Sequence, residues 1–138
     1  MPHPTTQYLL SNGPPPGETA LVGGVVKHLA AMEDLWFSHK LLGVPPAEPW
    51  RSAPFGEDPD WEFHSAADDT VAELRALYER ACVVSRVAAG RVESLDQQAV
   101  REFVSLRWIY LHMLAEVAQR RGQLDLLMDA VCQARPRR

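Results

Sequence analysis

The sequence lacks the features that mark several common classes of protein. It has 14 lysine and arginine residues against 18 acidic ones, a formal net charge of -4, so it has no basic excess to neutralise nucleic-acid phosphates. No apolar run comes near the ~18 residues of a transmembrane helix, and no charged-then-apolar leader opens the chain. We therefore expect no nucleic-acid partner, no membrane association and a cytoplasmic location.

Cysteine is scarce, and the familiar catalytic motifs are missing. Cys82 and Cys132 both fall within apolar helical patterns and show neither metal-ligand nor redox spacing, which predicts buried thiols in a reducing compartment rather than a disulfide. There is no Gly-rich phosphate loop, helix-borne HExxH or nucleophile elbow. Hydrolase, kinase and dinucleotide-oxidoreductase activities therefore have no support among the residues.

Proline is absent from residues 60–135, whereas ten of the eleven prolines lie at or before Pro59. The second half is therefore free to be helical, and residues 1–18 form a Pro-rich arm. A chain of 138 residues with 46% hydrophobic and 23% charged residues is typical of one globular domain spanning residues 1–138.

Three long helices are predicted from apolar spacing and end signals, with no alternating strand pattern and no internal repeat. The first runs over residues 19–42, with Thr19 as N-cap and Gly43 as the stop. The second opens with a capping box, Thr70 to Glu73, and ends near Val92. The last spans about residues 105–133, after a short helical turn that follows residues 94–96 and reaches Phe103. Residues 44–69 are predicted to be a long loop over the bundle, and the fold class is an all-α bundle.

The apolar stripes indicate which side chains face inward. On the first helix His28 lies on the apolar stripe with Met32, whereas Lys27, Asp34 and Ser38 fall on the far side. On the second helix the core face is predicted to hold Val71, Leu74, Tyr78, Ala81, Ser85 and Ala88. Gly23 and Gly24 lie within the helical pattern and are best explained by close packing of another element.

The last helix has two polar faces, of which one must face the bundle. One face holds Arg107, Arg121, Asp125 and Asp129; the other holds His112, Glu116, Gln119, Arg120 and Gln123. Polar side chains that project from facing helices build metal and cofactor sites in bundles, which makes His28 opposite Glu116 or His112 a candidate site. The alternatives are that the His112 face is simply solvated and that His28 is a satisfied core residue.

Several strings in the chain resemble the DinB-like four-helix-bundle superfamily, in its actinobacterial branch related to mycothiol-dependent maleylpyruvate isomerases. The resemblance covers about residues 19–131 in order and spacing. The matching strings are residues 21–30 with Trp36 and Phe37, residues 58–60 with 70–74, residues 106–108 with 111–113, and residues 122–127.

The resemblance implies a metalloenzyme that transfers or isomerises small molecules with a low-molecular-weight thiol. It also implies a divalent metal held by one His of the first matched helix and two ligands on the last helix. Residue by residue, these positions are His28, Glu116 and Arg120. Arg120 departs from the pattern because a guanidinium has no lone pair to donate. Arg120 is instead spaced for an i,i+4 ion pair with Glu116. In this interpretation the positive charge of the guanidinium replaces that of the metal.

We therefore expect a metal-free pocket and no cofactor, with zinc, nickel or a low-molecular-weight thiol as alternatives; His28 and Glu116 are the metal ligands in that case, and a rearranged set adds His112. The expected function is a thiol-dependent transferase or isomerase acting on a small molecule. The alternative is a non-catalytic binding or protein-interaction module. The candidate catalytic residues are His28, His112, Glu116 and Arg120, and the candidate pocket residues are Met32, Trp36, Trp108, Gln119 and Gln123.

A second departure from the resemblance concerns the beginning of the chain. The superfamily begins with a full amphipathic helix, which the Pro-rich arm cannot form. The remaining helices would then expose an apolar groove, and we expect a homodimer that covers it.

Overall fold

The structure, a computed structural model, describes residues 18–134 and is all-α over this range, as predicted. The arm predicted for residues 1–18 lies outside the described residues, apart from its last position. The described residues contain no β-strand. Residues 18–134 form four α-helices, which are α1 (Glu18–Glu33), continued by a π-helix (Asp34–Lys40), α2 (Trp61–Ser65), continued by a 3₁₀ turn (Ala66–Asp68), α3 (Val71–Gly90) and α4 (Leu106–Ala134).

The first helix has the predicted extent, but its second part is wound differently. It remains helical to Leu42 and ends at Gly43, whose φ of 75° is the left-handed conformation that commonly terminates helices. The π-helical segment has wider i→i+5 turns, which change the direction in which successive side chains point. Ser38, predicted to lie on the far side, is consequently 5% exposed beside Phe37.

The loop predicted for residues 44–69 is partly wrong, because it contains α2 and the 3₁₀ turn. The Phe63 and His64 amides donate to the Asp60 carbonyl, so these hydrogen bonds start the short helix directly after Asp60. Trp50, in the preceding turn, is 8% exposed against α1 residues. Because this segment covers one side of α1, Lys27 is buried, although the prediction placed it on the far side of the helix from the apolar stripe.

Helix α3 begins as the capping-box pattern predicts. The Thr70 side chain accepts a hydrogen bond from the Glu73 amide at 3.2 Å, and the Glu73 carboxylate accepts one from the Thr70 amide at 2.7 Å. Leu74 is buried on the predicted face, but Val71 is 65% exposed. Leu74 makes the contact with α1 at Gly23, so Val71, almost a full turn earlier, lies outside the packed interface.

The helical turn predicted to reach Phe103 is absent. The backbone instead pairs across the connection, since the Ala99 amide donates to the Val104 carbonyl and the Leu106 amide donates to the Gln97 carbonyl. Phe103 is fully exposed at the end of this turn. The hydrogen bonds that a helical turn would need are therefore used between the two arms of the connection.

Helix α1 is central, because it packs against α2, α3 and α4. Gly23 and Gly24 allow the close approach of α2 and the 3₁₀ turn: a Cβ on Gly24 would lie 3.1 Å from Phe63 Cδ1 and 3.3 Å from Phe63 Cα. The prediction that these glycines serve helix packing is confirmed. The larger core cluster comprises Phe37, Leu41, Ala88, Ala89, Leu106, Ile109 and Met113. None of the helices described is long and apolar enough to cross a membrane.

Candidate functional site

The polar face of α4 that holds Glu116 and Arg120 is directed towards the bundle. Arg120 is 2% exposed, although the adjacent Arg121 on the opposite polar face is exposed. Gln123 is half-buried on the same face as Arg120, whereas Gln119 is exposed. The predicted pocket residue Gln119 therefore lies at the solvent side of the face that encloses Arg120.

His28, on α1, is hydrogen-bonded at both ring nitrogens. Its Nε2 lies 2.7 Å from Glu116 Oε1, and its Nδ1 lies 2.9 Å from Glu62 Oε1. The imidazole also stacks on Phe63 with 4.9 Å between ring centroids. The residue is 8% exposed, because two carboxylates and an aromatic ring enclose the imidazole.

Arg120 completes the cluster from α4. Its Nε donates to Glu116 Oε1 at 3.0 Å, its Nη1 donates to Gln123 Oε1 at 2.8 Å, and its Nη2 lies 3.1 Å from His28 Nε2. The guanidinium also lies over the Phe63 ring, 5.6 Å from the centroid. We refer to His28, Glu62, Glu116 and Arg120 as the buried charge cluster.

The short distances determine where the protons lie in this cluster. Two acceptors are not stable 2.7 Å apart, so His28 Nε2 carries a hydrogen and donates to Glu116. The 3.1 Å contact between Nε2 and Arg120 Nη2 is then an approach of two donors rather than a hydrogen bond. Because Nδ1 also faces a carboxylate, an imidazolium satisfies both sides of the ring. The cluster then holds two positive and two negative charges.

The pKa of Glu116 follows from the same contacts. Burial raises the pKa of this carboxyl, but the hydrogen bonds from His28 and Arg120 and their positive charges outweigh burial. The pKa of Glu116 is therefore held below its ordinary value. The carboxylate stays ionised between two donors at neutral pH.

Glu62 is the member of the cluster that sequence reasoning missed. It lies in the segment predicted to be a loop, and α2 places it against His28 because Gly24 lets Phe63 approach α1. Glu62 is 6% exposed, and its Oε2 is buried with no hydrogen-bond partner in the described part of the chain. The only sequence signal was an acidic residue flanked by Trp61 and Phe63, which suits a partly buried turn.

His112, Trp36 and Trp108 form an aromatic cluster beside the buried charge cluster. His112 and Trp108 stack at 4.8 Å with only 8° between the rings, and Trp36 lies 4.7 Å from His112 and 5.2 Å from Trp108. Trp108 is 41% exposed. Met32 is half-buried and packs against both hydrophobic clusters of the core. His112 thus contacts aromatic rings.

The residues of the buried charge cluster do not fit a divalent metal. A catalytic metal usually has three protein ligands, and each must offer a lone pair. His28 Nε2 and Glu116 Oε1 are bonded to each other, and the third position is the Arg120 guanidinium, which can only donate. Within residues 18–134 no group of three or more His, Cys, Asp or Glu side chains could hold a metal ion.

The all-α architecture of the described residues is consistent with the DinB-like bundle that the sequence predicted. The family model described as mycothiol-S-transferase matches residues 6–132. The chain therefore belongs to the mycothiol-S-transferase family. Neither a curated protein nor a solved structure matches it.

Proposed function

We propose that the chain is a thiol-dependent transferase for a small molecule, in which Arg120 supplies the positive charge that the resemblance assigns to a metal ion. The observation that carries this proposal is the position of the guanidinium. It is 2% exposed, bonded to Glu116 at 3.0 Å, and 3.1 Å from His28 Nε2. A fixed charge in a water-excluded site acts strongly on a group that becomes negative during a reaction.

The proposed role of the cluster is electrostatic. Positive charge beside a thiol favours the thiolate, which is the nucleophilic form. In the proposed reaction the thiol gives up its proton to solvent, and the sulfur forms a bond to an electrophilic carbon. The leaving group departs with its electron pair. Glu62 holds the His28 ring from its Nδ1 side, so the imidazolium stays directed at Glu116.

The aromatic cluster is the proposed contact for the small molecule. Trp36, His112 and Trp108 present a partly exposed ring surface next to the polar residues of α4. Rings of this kind provide large contact area for an apolar part of a ligand. Met32 and Gln123 are half-buried and Gln119 is exposed, and we assign all three to the proposed pocket.

A non-catalytic binding module is the second candidate, and the burial of the cluster favours it. His28, Glu62 and Arg120 are all under 9% exposed, and together with Glu116 they hold two positive and two negative charges. A cluster in this state stabilises one arrangement of helices without any reacting group.

Transfer activity distinguishes the two candidates. The purified protein, treated with a chelator, is mixed with mycothiol and a panel of electrophilic small molecules, and loss of free thiol is followed. We expect catalysed loss of thiol in the presence of the chelator, reduced at least tenfold in His28→Ala and unchanged in His64→Ala, an exposed histidine bonded to Asp58. A folded wild-type protein without activity would favour the binding module. Activity only after addition of metal would reject the role of Arg120.

The replacement of the metal by Arg120 has its own test. Arg120→His restores a third ligand four residues after Glu116, so we expect it to bind zinc or nickel stoichiometrically. The matched control is Arg121→His on the exposed face of α4. Stoichiometric metal in the unmutated, untagged protein that is lost in His28→Ala would contradict the proposal.

A second copy of the chain is the proposed partner. Apolar side chains are exposed on both long helices of the second half, including Val83, Val84 and Val87 on α3 and Leu114 and Val117 on α4. Sedimentation at micromolar concentration should show a dimer of the 15.4 kDa chain. A monomer alone would contradict this expectation.

A further inference from the structure

A second polar site lies beside the buried charge cluster, on the adjacent residue of α1. Lys27 is 4% exposed, and its ammonium is bonded to the Asp69 carboxylate. The ammonium also lies over the Trp61 ring, 4.7 Å from the centroid. An ammonium has three N–H donors, and in residues 18–134 Asp69 is the one hydrogen-bond acceptor that it contacts. Two donors of a buried cation therefore have no acceptor among the described residues.

Lys27 lines a cleft of about 480 Å³ between α1, α2 and the beginning of α3. Ser65, one helical turn after Trp61, lines the same cleft, and its Oγ is buried with no hydrogen-bond partner in the part of the chain that the structure describes. A buried hydroxyl without a partner costs free energy, so a ligand that bonds it gains affinity. The volume lies within the range of small-molecule sites.

The charges around the cleft determine the chemical class of that ligand. Asp68 and Arg80 line it, both exposed and without an ion pair among the described residues. The carboxylates of Asp68, Asp69 and Glu73 oppose an anion, whereas Lys27 and Arg80 oppose a cation. A hydroxyl both donates and accepts, so several hydroxyls satisfy free donors and free acceptors without adding charge.

The Trp61 ring supplies the apolar side of the same cleft. A carbon ring that bears hydroxyls has an apolar face and a polar edge. An aromatic side chain can stack on the apolar face. The cleft thus combines an aromatic wall, a buried ammonium, a buried hydroxyl and charges of both signs.

We propose that this cleft binds an uncharged, polyhydroxylated small molecule of about the size of a monosaccharide. The ligand hydroxyls accept from Lys27, Ser65 and Arg80 and donate to Asp68. The inference does not depend on thiol transfer or on the buried charge cluster.

The test is a titration of the full chain with D-glucose, D-galactose, D-mannose and N-acetyl-D-glucosamine, followed by the NMR signal of the Trp61 indole N–H, assigned with Trp61→Phe. We expect at least one sugar to give a saturable shift. Ser65→Ala and Arg80→Gln should each raise its Kd about 2- to 10-fold, the effect of one lost hydrogen bond. Ser52→Ala and Arg75→Gln, exposed substitutions outside the cleft, should leave Kd unchanged.

Other outcomes overturn the proposal. One is the absence of a saturable shift with all four sugars while the wild-type spectrum is that of a folded protein. A second is saturation by acetate or phosphate, or by an alkylamine, in place of the sugars, which would assign the cleft to an anion or a cation. A third is a sugar Kd unaffected by both Ser65→Ala and Arg80→Gln.

Discussion

Lys27 and His28 are neighbours in sequence on the same helix, and both are buried, but their surroundings differ. The ring nitrogens of His28 each face a carboxylate, and Arg120 balances the second negative charge. Lys27 has one carboxylate and an aromatic face, in a cleft with an unbonded hydroxyl. The comparison shows that burial of a charge alone does not indicate function. The buried charge cluster leaves one acceptor unused, Glu62 Oε2, whereas the cleft at Lys27 combines unused donors on Lys27 and Ser65 with open volume.

The largest effect on stability is expected from Arg120→Ala, because it removes the cation that balances the second carboxylate of the cluster. Leaving a buried charge unpaired costs about 3–5 kcal/mol. Denaturant unfolding followed by circular dichroism gives this value. Arg121→Ala, on the exposed face one residue later, should change the unfolding free energy by less than about 0.5 kcal/mol. Equal effects of the two substitutions would contradict the role of Arg120 in balancing the buried charge cluster.

Lys27→Met should have a smaller effect, about 2 kcal/mol of unfolding free energy, because the Asp69 side chain that it leaves is 29% exposed and regains water. The matched pair is Lys40→Met, which breaks the Lys40 bond to Glu102 between two partly exposed side chains. That change should cost no more than about 1 kcal/mol. If Lys40→Met cost as much as Lys27→Met, burial of Lys27 would carry no energetic weight.

Gly24→Ala tests the packing on which both sites depend. The added methyl would meet Phe63 at 3.1 to 3.4 Å, including its backbone, so α2 must move away from α1. We expect a loss of about 1–2 kcal/mol, typical of overpacking. Gly122→Ala, in the interior of α4 with open space around it, should instead stabilise the protein by up to about 1 kcal/mol. A neutral Gly24→Ala would show that α2 is not tightly held.

Tyr78 offers the smallest predicted effect and a pH dependence. Burial, together with a hydrogen bond to Cys82, raises the pKa of Tyr78 to about 12. The folded state then binds this proton more tightly than the unfolded state, so its stabilisation is present below pH 10 and is lost as the pH rises towards 12. After a discount for partial exposure the loss is about 1 kcal/mol. Tyr78→Phe should remove this alkaline dependence, and Tyr110→Phe should retain it; identical alkaline curves for all three proteins would be the contrary result.

The helices that carry the site could be read from local signals. The Thr70 to Glu73 capping box, the stop at Gly43 and the apolar spacing of α1 and α4 depend on residues within one or two turns of one another, and the structure has each of them. The polar faces of α4 were equally visible. Periodicity could not decide which face is buried, because that choice depends on the helix packed against it.

The misses share a different cause. Lys27 and Glu62 were not recognised as buried groups because α2 and its contact with α1 depend on residues about 35 positions apart. The helical turn predicted before α4 failed because the Val100 and Arg101 amides donate to the Leu41 and Lys40 carbonyls at the end of the first helix. In each case a contact distant in sequence outweighed the local preference.

The sequence by itself determined the all-α class, the helix ends, and the i,i+4 pair of Glu116 and Arg120, since all three follow from short-range geometry. The tertiary structure alone decided that Glu62 meets His28, that Arg120 lies at both His28 and Glu116, and that Lys27 faces a cleft with free hydrogen-bonding groups. These facts depend on how closely α2 approaches α1. That approach depends on the absence of side chains at Gly23 and Gly24. Whether it occurs is decided by how the surfaces of the two helices fit together, which local sequence patterns do not specify.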